Sequence, residues 1–405
     1  MTTDGADQRK TAAADTDAGR LLVVDDNEMN RDMLSRRLTR RGHDVVTAED
    51  GHVALELIGK ENFDVILLDI MMPGIDGIEV LKRLRETHDP ADLPVIMATA
   101  KDDSEDIVAA LKLGANDYVT KPLDFQVVLA RVHTQLALKR SRDALAAAHA
   151  RMKRDLEAAA RVQQALLPTE PPTTSGYRFA WQYRPCDELA GDSLNVFKID
   201  DRHIGLYVLD VSGHGVPAAL VSVTANHRLH QRGVGASMIT DPSPDPPGHV
   251  IVSPAEVAGR LNGLYQMAAN SNRYFTMVYG VLDTQEHCLR FTCAGHPGPI
   301  LIRPGAEPRV LDDSSFPIGI VKESEYQEMT IDLQPGDRVY LYSDGVNEEM
   351  NADREEFGRE RMGAALSERS LSLNESLDAL VDKVIAWRGD DRFADDISIM
   401  GIELV

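Results

Sequence analysis

The sequence is short of cysteine, aromatic residues and long apolar runs. Its 405 residues include three cysteines, and aromatic residues make up 5% of the chain. Cys186, Cys288 and Cys293 show no ligand-like spacing, which argues against a zinc module or a disulfide-rich secreted scaffold. No apolar run approaches the roughly 20 residues that a membrane-spanning helix needs. We therefore expect a reduced, cytoplasmic protein without a membrane span.

Basic residues are also scarce relative to acidic ones. The chain has 43 Lys and Arg against 65 Asp and Glu, a formal net charge of −22. So acidic a surface repels phosphate backbones, and the chain shows no basic recognition helix, so nucleic-acid binding is not expected. Residues 1–19 are polar and lack the apolar core of a signal peptide, which predicts a disordered tail.

Residues 20–135 have the pattern of an α/β domain. Short apolar runs at 21–26, 64–69, 94–100 and 117–120 alternate with stretches of helical spacing. Such apolar runs are typical of buried parallel strands. The pattern therefore predicts a doubly wound parallel sheet with helices on its faces.

Polar side chains close several of these strands. Asp25 and Asp26 end the first apolar run, Asp69 ends the next, and Thr99 and Lys121 close two later strands. In a doubly wound sheet the carboxyl ends of the strands meet in one crevice, where ligands bind. Three carboxylates there need a hard cation such as Mg²⁺, and Asp69 could then attack a phosphoryl donor.

The motifs VVDDN, LLDIMMPGIDG, MATAK and GANDYVTKP make this region resemble the receiver domain of two-component response regulators, which has a flavodoxin-like fold. The resemblance implies that Asp69 is the phosphoacceptor. It also implies that Asp26, Asp69 and the main-chain carbonyl of Met71 bind Mg²⁺, with Asp25 acting through water.

The same resemblance assigns roles to three later residues. Thr99 and Tyr118 would be the switch pair, and Lys121 would contact the phosphoryl group. The Lys121–Pro122 bond is expected to be cis. A histidine kinase or phosphorelay protein would be the upstream partner.

Residues 136–170 are predicted to form a helical linker. Residues 125–167 contain no glycine or proline and are rich in Ala, Leu, Arg and Glu. A seven-residue stripe favours a coiled coil in a parallel homodimer, although the second seam is poor; the stripe comprises Leu138, Leu145, Met152, Ala159 and Leu166. The alternative is a helix that packs on its own domains.

Residues 171–405 form the second predicted folded domain. Strand-like runs dominate, and helical spacing occurs at 216–230, 254–269 and 374–388. The segment 231–253, which contains DPSPDPPG, is predicted to be an irregular loop.

Four aspartates in this domain lie at predicted strand edges or tight turns: Asp192, Asp210, Asp344 and Asp395. In VLDVSGHG and YLYSDG an apolar strand runs directly into an Asp and a glycine-containing turn. If the four converge, they could hold two Mg²⁺ or Mn²⁺ ions about 4 Å apart, which activate a water for attack on a phosphoryl group. Spacing alone leaves convergence open, because an Asp-Gly pair is usually just a turn.

The motifs ELAGD, VLDVSGHGVPAAL, FTCAGHPGPILI, YLYSDGVNE and DDISIM resemble the SpoIIE-like branch of PPM-type protein phosphatases. The resemblance implies an α-β-β-α sandwich in which both metals share Asp210. The Val211 carbonyl and Asp192 would hold one metal, and Asp344 and Asp395 the other.

Several neighbouring residues are given lesser roles. Asp396 is expected to support the site, and His214 and His296 are expected to be structural. Asn195 stands where family members usually carry a second Asp, which puts any accessory contact there in doubt.

Together these features predict a two-component response regulator that removes phosphate from phosphoserine or phosphothreonine under the control of Asp69. By resemblance, the substrate would be a STAS-domain anti-anti-sigma-type protein. The alternative is a non-catalytic adaptor that binds a signalling partner in a phosphorylation-dependent way.

Overall fold

A computed structural model describes residues 18–100, 104–230, 237–267, 272–312 and 315–405. The predicted tail at 1–19 therefore lies almost wholly outside the described residues. The chain divides into two compact units between Met152 and Lys153. The boundaries predicted at 135 and 170 stay predictions. Within the described ranges, no helix is long and apolar enough to cross a membrane.

The first unit is built on one parallel sheet of five strands in the order β2-β1-β3-β4-β5. Its strands are β1 Arg20–Val24, β2 Asp44–Ala48, β3 Val65–Asp69, β4 Val95–Ala100 and β5 Asp117–Lys121. Its helices are α1 Glu28–Thr39, α2 Gly51–Lys60, α3 Gly77–Arg85 and α4 Ser104–Lys112. The predicted flavodoxin-like fold is confirmed.

Both faces of this sheet are buried, which explains the continuous apolar runs. In β3, Ile66 and Leu68 pack toward α2 and α3. The intervening Val65 and Leu67 pack toward α1 and the start of the next helix.

That next helix, α5 Phe125–Gln164, runs for 40 residues. Its first turns belong to the receiver core through Phe125, Val128 and Val132. Farther along, Leu138, Leu145, Met152 and Ala159 of the predicted stripe are exposed.

The second unit contains two five-stranded sheets, ordered β15-β12-β11-β8-β7 and β14-β13-β16-β17-β6. Their strands are β6 Tyr177–Arg184, β7 Ser193–Lys198, β8 His203–Val211, β11 Phe275–Asp283, β12 Cys288–Ala294, β13 Ile300–Ile302, β14 Arg309–Val310, β15 Met329–Asp332, β16 Arg338–Tyr342 and β17 Ile397–Leu404. The helices are α6 Val216–His230, α7 Pro254–Leu264, α8 Asp344–Asn347, α9 Gly358–Leu366 and α10 Leu373–Arg388.

Successive side chains of each strand point to opposite faces of its sheet, so the two sheets and their helices enclose three apolar layers. In β8, Leu206 and Val208 enter the core between the sheets. Tyr207 and Leu209 face the layer that α6 and α7 cover, and α8, α9 and α10 cover the other sheet. The predicted α-β-β-α sandwich is confirmed.

The segment 231–253 is more regular than predicted. Residues 231–236 lie outside the described residues, but β9 Thr240–Pro242 and β10 His249–Ile251 pair as an antiparallel hairpin. Strands of three residues are too short to show an alternating pattern, and the prolines of DPSPDPPG indicated a loop instead. The helix predicted over 254–269 ends earlier, at Leu264, where Tyr265 leaves helical backbone geometry.

Candidate functional site

The first acidic site lies at the carboxyl ends of β1 and β3. Oxygen atoms of Asp25, Asp26 and Asp69 all lie within 4.8 Å of one another. Asp25 and Asp69 are each only 2% exposed, whereas Asp26 faces solvent. A small hard cation held by carboxylates and water fits this set of oxygen donors.

Lys121, at the end of β5, partly offsets this negative charge. Its Nζ lies 2.5 Å from Asp69 Oδ2 and 3.1 Å from Asp25 Oδ2. Burial raises the pKa of Asp69, and the Lys121 ammonium opposes that rise without cancelling it. The buried carboxylate therefore still gains from a further cation.

The remaining predicted receiver residues lie on the neighbouring strands β4 and β5 and just after β3. Thr99 lies buried on β4, and Tyr118 on β5 is 36% exposed. The Met71 amide lies 3.3 Å from Asp69 Oδ1, to which it donates. The Lys121–Pro122 bond is cis, as expected.

The second acidic site gathers residues from four separated segments. Asp210 lies near the end of β8, Asp344 follows β16, Asp395 precedes β17, and Asp192 precedes β7. Asp344 and Asp395 lie close enough to Asp210 for their charges to raise its pKa, and the charge of Asp210 raises the pKa of Asp192, so the four converge. They do not form one compact group like that of Asp25, Asp26 and Asp69. Ligand atoms of Asp395, Asp396 and Cys186 lie within 4.8 Å of one another instead.

The electrostatics of this second site favour cations. Burial, and then the charges of Asp344, Asp395 and Asp396, raise the pKa of Asp210 to about 8. Burial and the Asp210 carboxylate raise the pKa of Asp192 well above its usual range. Asp192 Oδ2 is buried and has no hydrogen-bond partner among the described residues. An orphaned carboxylate oxygen amid like charges fits a divalent metal ligand.

Two glycines allow the acidic loops to approach one another. A Cβ atom at Gly345 would lie 2.1 Å from the Asp396 carbonyl oxygen, and one at Gly191 would lie 2.8 Å from the Val211 carbonyl oxygen. A side chain at position 345 would push the Asp344 segment away from the Asp395 segment, and one at position 191 would push the Asp192 segment away from the end of β8.

Asp396 binds the backbone of the loop that leads to Asp192. Its carboxylate accepts from the amides of Cys186 at 2.9 Å, Gly191 at 2.8 Å and Asp192 at 3.3 Å. With its oxygens so engaged, Asp396 is suited to orienting Asp192.

The two histidines differ in their surroundings. His214 is exposed, and its Nδ1 lies 2.9 Å from Asp187 Oδ2. His296 is buried, and burial lowers its pKa to about 3. His296 therefore stays neutral and is suited to a structural role.

Sequence reasoning missed a contact between the end of α5 and the Asp192 loop. Gln163 Nε2 donates to the Ala190 carbonyl at 2.7 Å, and the Ala190 amide donates to Gln163 Oε1 at 3.2 Å. Asn195 Nδ2 donates to the Leu166 carbonyl at 3.0 Å, which explains the amide at that position. No sequence signal marks this contact, because Gln163 is one of two adjacent glutamines in a polar helix, and its burial appears only in the structure.

A cleft of about 540 Å³ opens beside Asp344. Glu348 and Arg359 also line it, and Arg359 Nη1 forms an ion pair with Asp312 at 2.9 Å. This cleft could not be predicted from the sequence, because residues that are far apart in the chain form its walls.

Comparisons with known proteins find a family match for each of two parts of the chain. A family model described as Stage II sporulation protein E (SpoIIE) matches residues 200–405, and one described as a response regulator receiver domain matches residues 21–133. The SiaA-PP2C domain of Pseudomonas aeruginosa is 22% identical, with a TM-score of 0.52, over 64% of this chain and 100% of that one. This likeness shows a shared fold.

Two further solved structures are similar to parts of the chain. The receiver domain of the Francisella response regulator 1452 is 37% identical over 30% of this chain and 98% of that one, with a TM-score of 0.28. The SpoIIE phosphatase domain structure from Bacillus subtilis is 20% identical over 58% of this chain and 64% of that one, with a TM-score of 0.46. The SpoIIE family model covers half of the chain, which carries a response regulator receiver domain on the N-terminal side of the matched region. The chain therefore belongs to the SpoIIE family of metal-dependent protein phosphatases.

Proposed function

We propose that this protein removes phosphate from phosphoserine or phosphothreonine on a partner protein, in the cytoplasm, under the control of Asp69 phosphorylation. The observation that carries the proposal is the convergence of Asp192, Asp210, Asp344 and Asp395, in which one buried oxygen of Asp192 finds no hydrogen-bond partner in the part of the chain that the structure describes. A non-catalytic adaptor has no need for such a costly cluster of carboxylates.

In this proposal, Asp210 is shared by two Mn²⁺ or Mg²⁺ ions. Asp192 and the Val211 carbonyl complete one position, and Asp344 and Asp395 complete the other. When bound, the ions supply an activated water and neutralise charge on the phosphoryl group. Asp396 holds the Asp192 loop in place, so its carboxylate acts through the backbone.

In the receiver, Asp69 is the proposed phosphoacceptor. Mg²⁺ would be held by Asp25, Asp26, Asp69 and the Met71 carbonyl, with Lys121 binding the new phosphoryl oxygens. Thr99 and Tyr118 would respond as the switch pair. The donor is a histidine kinase or phosphorelay protein, and the substrate is a phosphorylated STAS-domain protein.

The linker helix is the proposed route between the two activities. The exposed stripe on α5 calls for a partner helix, and a parallel homodimer would cover it. At its other end, α5 is joined through Gln163 to Ala190, two residues before Asp192. A shift of this helix end would move a proposed metal ligand.

The first prediction concerns the phosphoacceptor. Wild-type protein incubated with acetyl phosphate and Mg²⁺ should be labelled, and Asp69→Ala should abolish labelling because the nucleophile is gone. Asp32→Ala, which removes an exposed carboxylate on α1, should label normally. Mass spectrometry locates the phosphate, and equal labelling of Asp69→Ala would place the acceptor elsewhere.

The second prediction concerns the metal ligands. Asp210→Asn and Asp344→Asn should each lower turnover of an aryl phosphate by more than about 100-fold, since ligands should matter more than the groups that orient them. Chelator should abolish the wild-type rate. The exposed Asp353→Asn is the matched control, and circular dichroism checks folding. A rate near wild type in either ligand variant would reject the two-metal assignment.

The third prediction separates the enzyme from the adaptor. With Mn²⁺ present, the protein should release phosphate from a phosphorylated STAS-domain protein, faster once Asp69 is phosphorylated. Phosphate release and loss of the phosphoserine are measured together. Stable binding of the phosphoprotein without phosphate release would favour the adaptor.

The fourth prediction concerns the dimer. Leu145→Asp combined with Met152→Asp should weaken self-association, because two charges would enter the apolar seam. Receiver phosphorylation should then no longer change the phosphatase rate, while basal hydrolysis persists. Sedimentation and rate measurements test both effects.

The control for the dimer variant places the same charges elsewhere on the helix. Ala146→Asp with Ala147→Asp adds two carboxylates at exposed positions outside the stripe. This variant should dimerise and respond like wild type. A wild-type monomer at micromolar concentration in both phosphorylation states, with regulated activity, would contradict the dimer route.

A further inference from the structure

A buried histidine joins the two sheets of the second unit beside the carboxylate site. His296 lies in the turn after β12, and its Nδ1 lies 2.7 Å from Thr276 Oγ1 on β11. Its Nε2 lies 3.0 Å from the Tyr342 carbonyl oxygen at the end of β16. Because β11 and β16 belong to different sheets, this one side chain connects them.

The direction of the two hydrogen bonds follows from their chemistry. A carbonyl oxygen can only accept, so His296 Nε2 carries the proton and donates to Tyr342. Nδ1 of the neutral ring then accepts from the Thr276 hydroxyl. With both ring nitrogens engaged, the imidazole is a fixed connector and takes no part in proton transfer.

Each end of this connector lies beside one acidic residue. Thr276 is the direct cross-strand partner of Asp210 in the β8–β11 ladder. Tyr342 ends β16, and Asp344 follows two residues later. The connector therefore links the strand pair that carries Asp210 to the strand that delivers Asp344.

We infer that His296 and Thr276 are positioning residues that fix the separation of Asp210 and Asp344 before any metal binds. This inference rests on the proposed function, in which both aspartates are metal ligands. Ligands that are already held in place lose little conformational freedom on binding. Breaking the connector should therefore weaken metal binding, beyond any general loss of stability.

The test replaces the hydroxyl of Thr276 without changing the size of the side chain. Thr276→Val leaves His296 Nδ1 without its donor, and Mn²⁺ binding measured by calorimetry should weaken about tenfold, the equivalent of ~1.4 kcal/mol. Thr276→Ser keeps the hydroxyl and should restore affinity close to that of wild type. At saturating Mn²⁺, turnover of p-nitrophenyl phosphate by Thr276→Val should recover most of its loss.

Thr292 provides a matched control. It is fully buried on the neighbouring strand β12, and its hydroxyl donates to the Gln327 carbonyl at 2.7 Å. Thr292→Val should lower the unfolding temperature much as Thr276→Val does, yet leave Mn²⁺ affinity unchanged. Equal Mn²⁺ affinity in wild type and Thr276→Val, or equal weakening in Thr292→Val, would overturn the inference. A wild-type protein that binds Mn²⁺ but hydrolyses no phosphoester would count against the proposed function alone.

Discussion

Mutual repulsion of buried carboxylates is the constraint on which the second unit depends. The pKa values of Asp192 and Asp210 are both raised, because burial and neighbouring acids disfavour ionisation together. The repulsion between these carboxylates would decrease if the loops that carry them moved apart. The fold must therefore hold the loops together. Close backbone packing at Gly345 and the three amide hydrogen bonds to Asp396 do so.

The two units resolve the same electrostatic problem differently. In the receiver, Lys121 forms ion pairs with Asp25 and Asp69, so one positive charge is built into the crevice. In the second unit, Asp192, Asp210, Asp344 and Asp395 form no ion pair with any residue in the described ranges. Compensation there comes from protons, as the raised pKa values of Asp192 and Asp210 indicate, or from bound cations, so divalent ions would have to displace protons from the site.

The sequence predicted those parts of the fold and site that depend on local patterns. Apolar runs that end in Asp identified β1, β3, β8 and β16, because a buried strand must be apolar and its end must be polar. The hairpin β9–β10 was missed, since two three-residue strands carry no readable alternation. Contacts between residues far apart in the chain were also missed, such as Gln163 with Ala190, because each looks ordinary in its own segment.

The Asp192 loop is held from two sides, and this has a consequence for regulation. Asp396 fixes the loop to the start of β17, while Gln163 fixes Ala190 to the end of α5. Each buried hydrogen bond contributes about 1 kcal/mol. Breaking the two between Gln163 and Ala190 would therefore change the ratio of the attached to the released loop by roughly 10- to 100-fold. If α5 transmits the signal as proposed, a change of that size in the free energy of this contact would be enough to shift the loop. The hydrogen bonds to Asp396 would limit how far Asp192 moves, so the shift would alter the metal position proposed for Asp192 while Asp344 and Asp395 keep theirs.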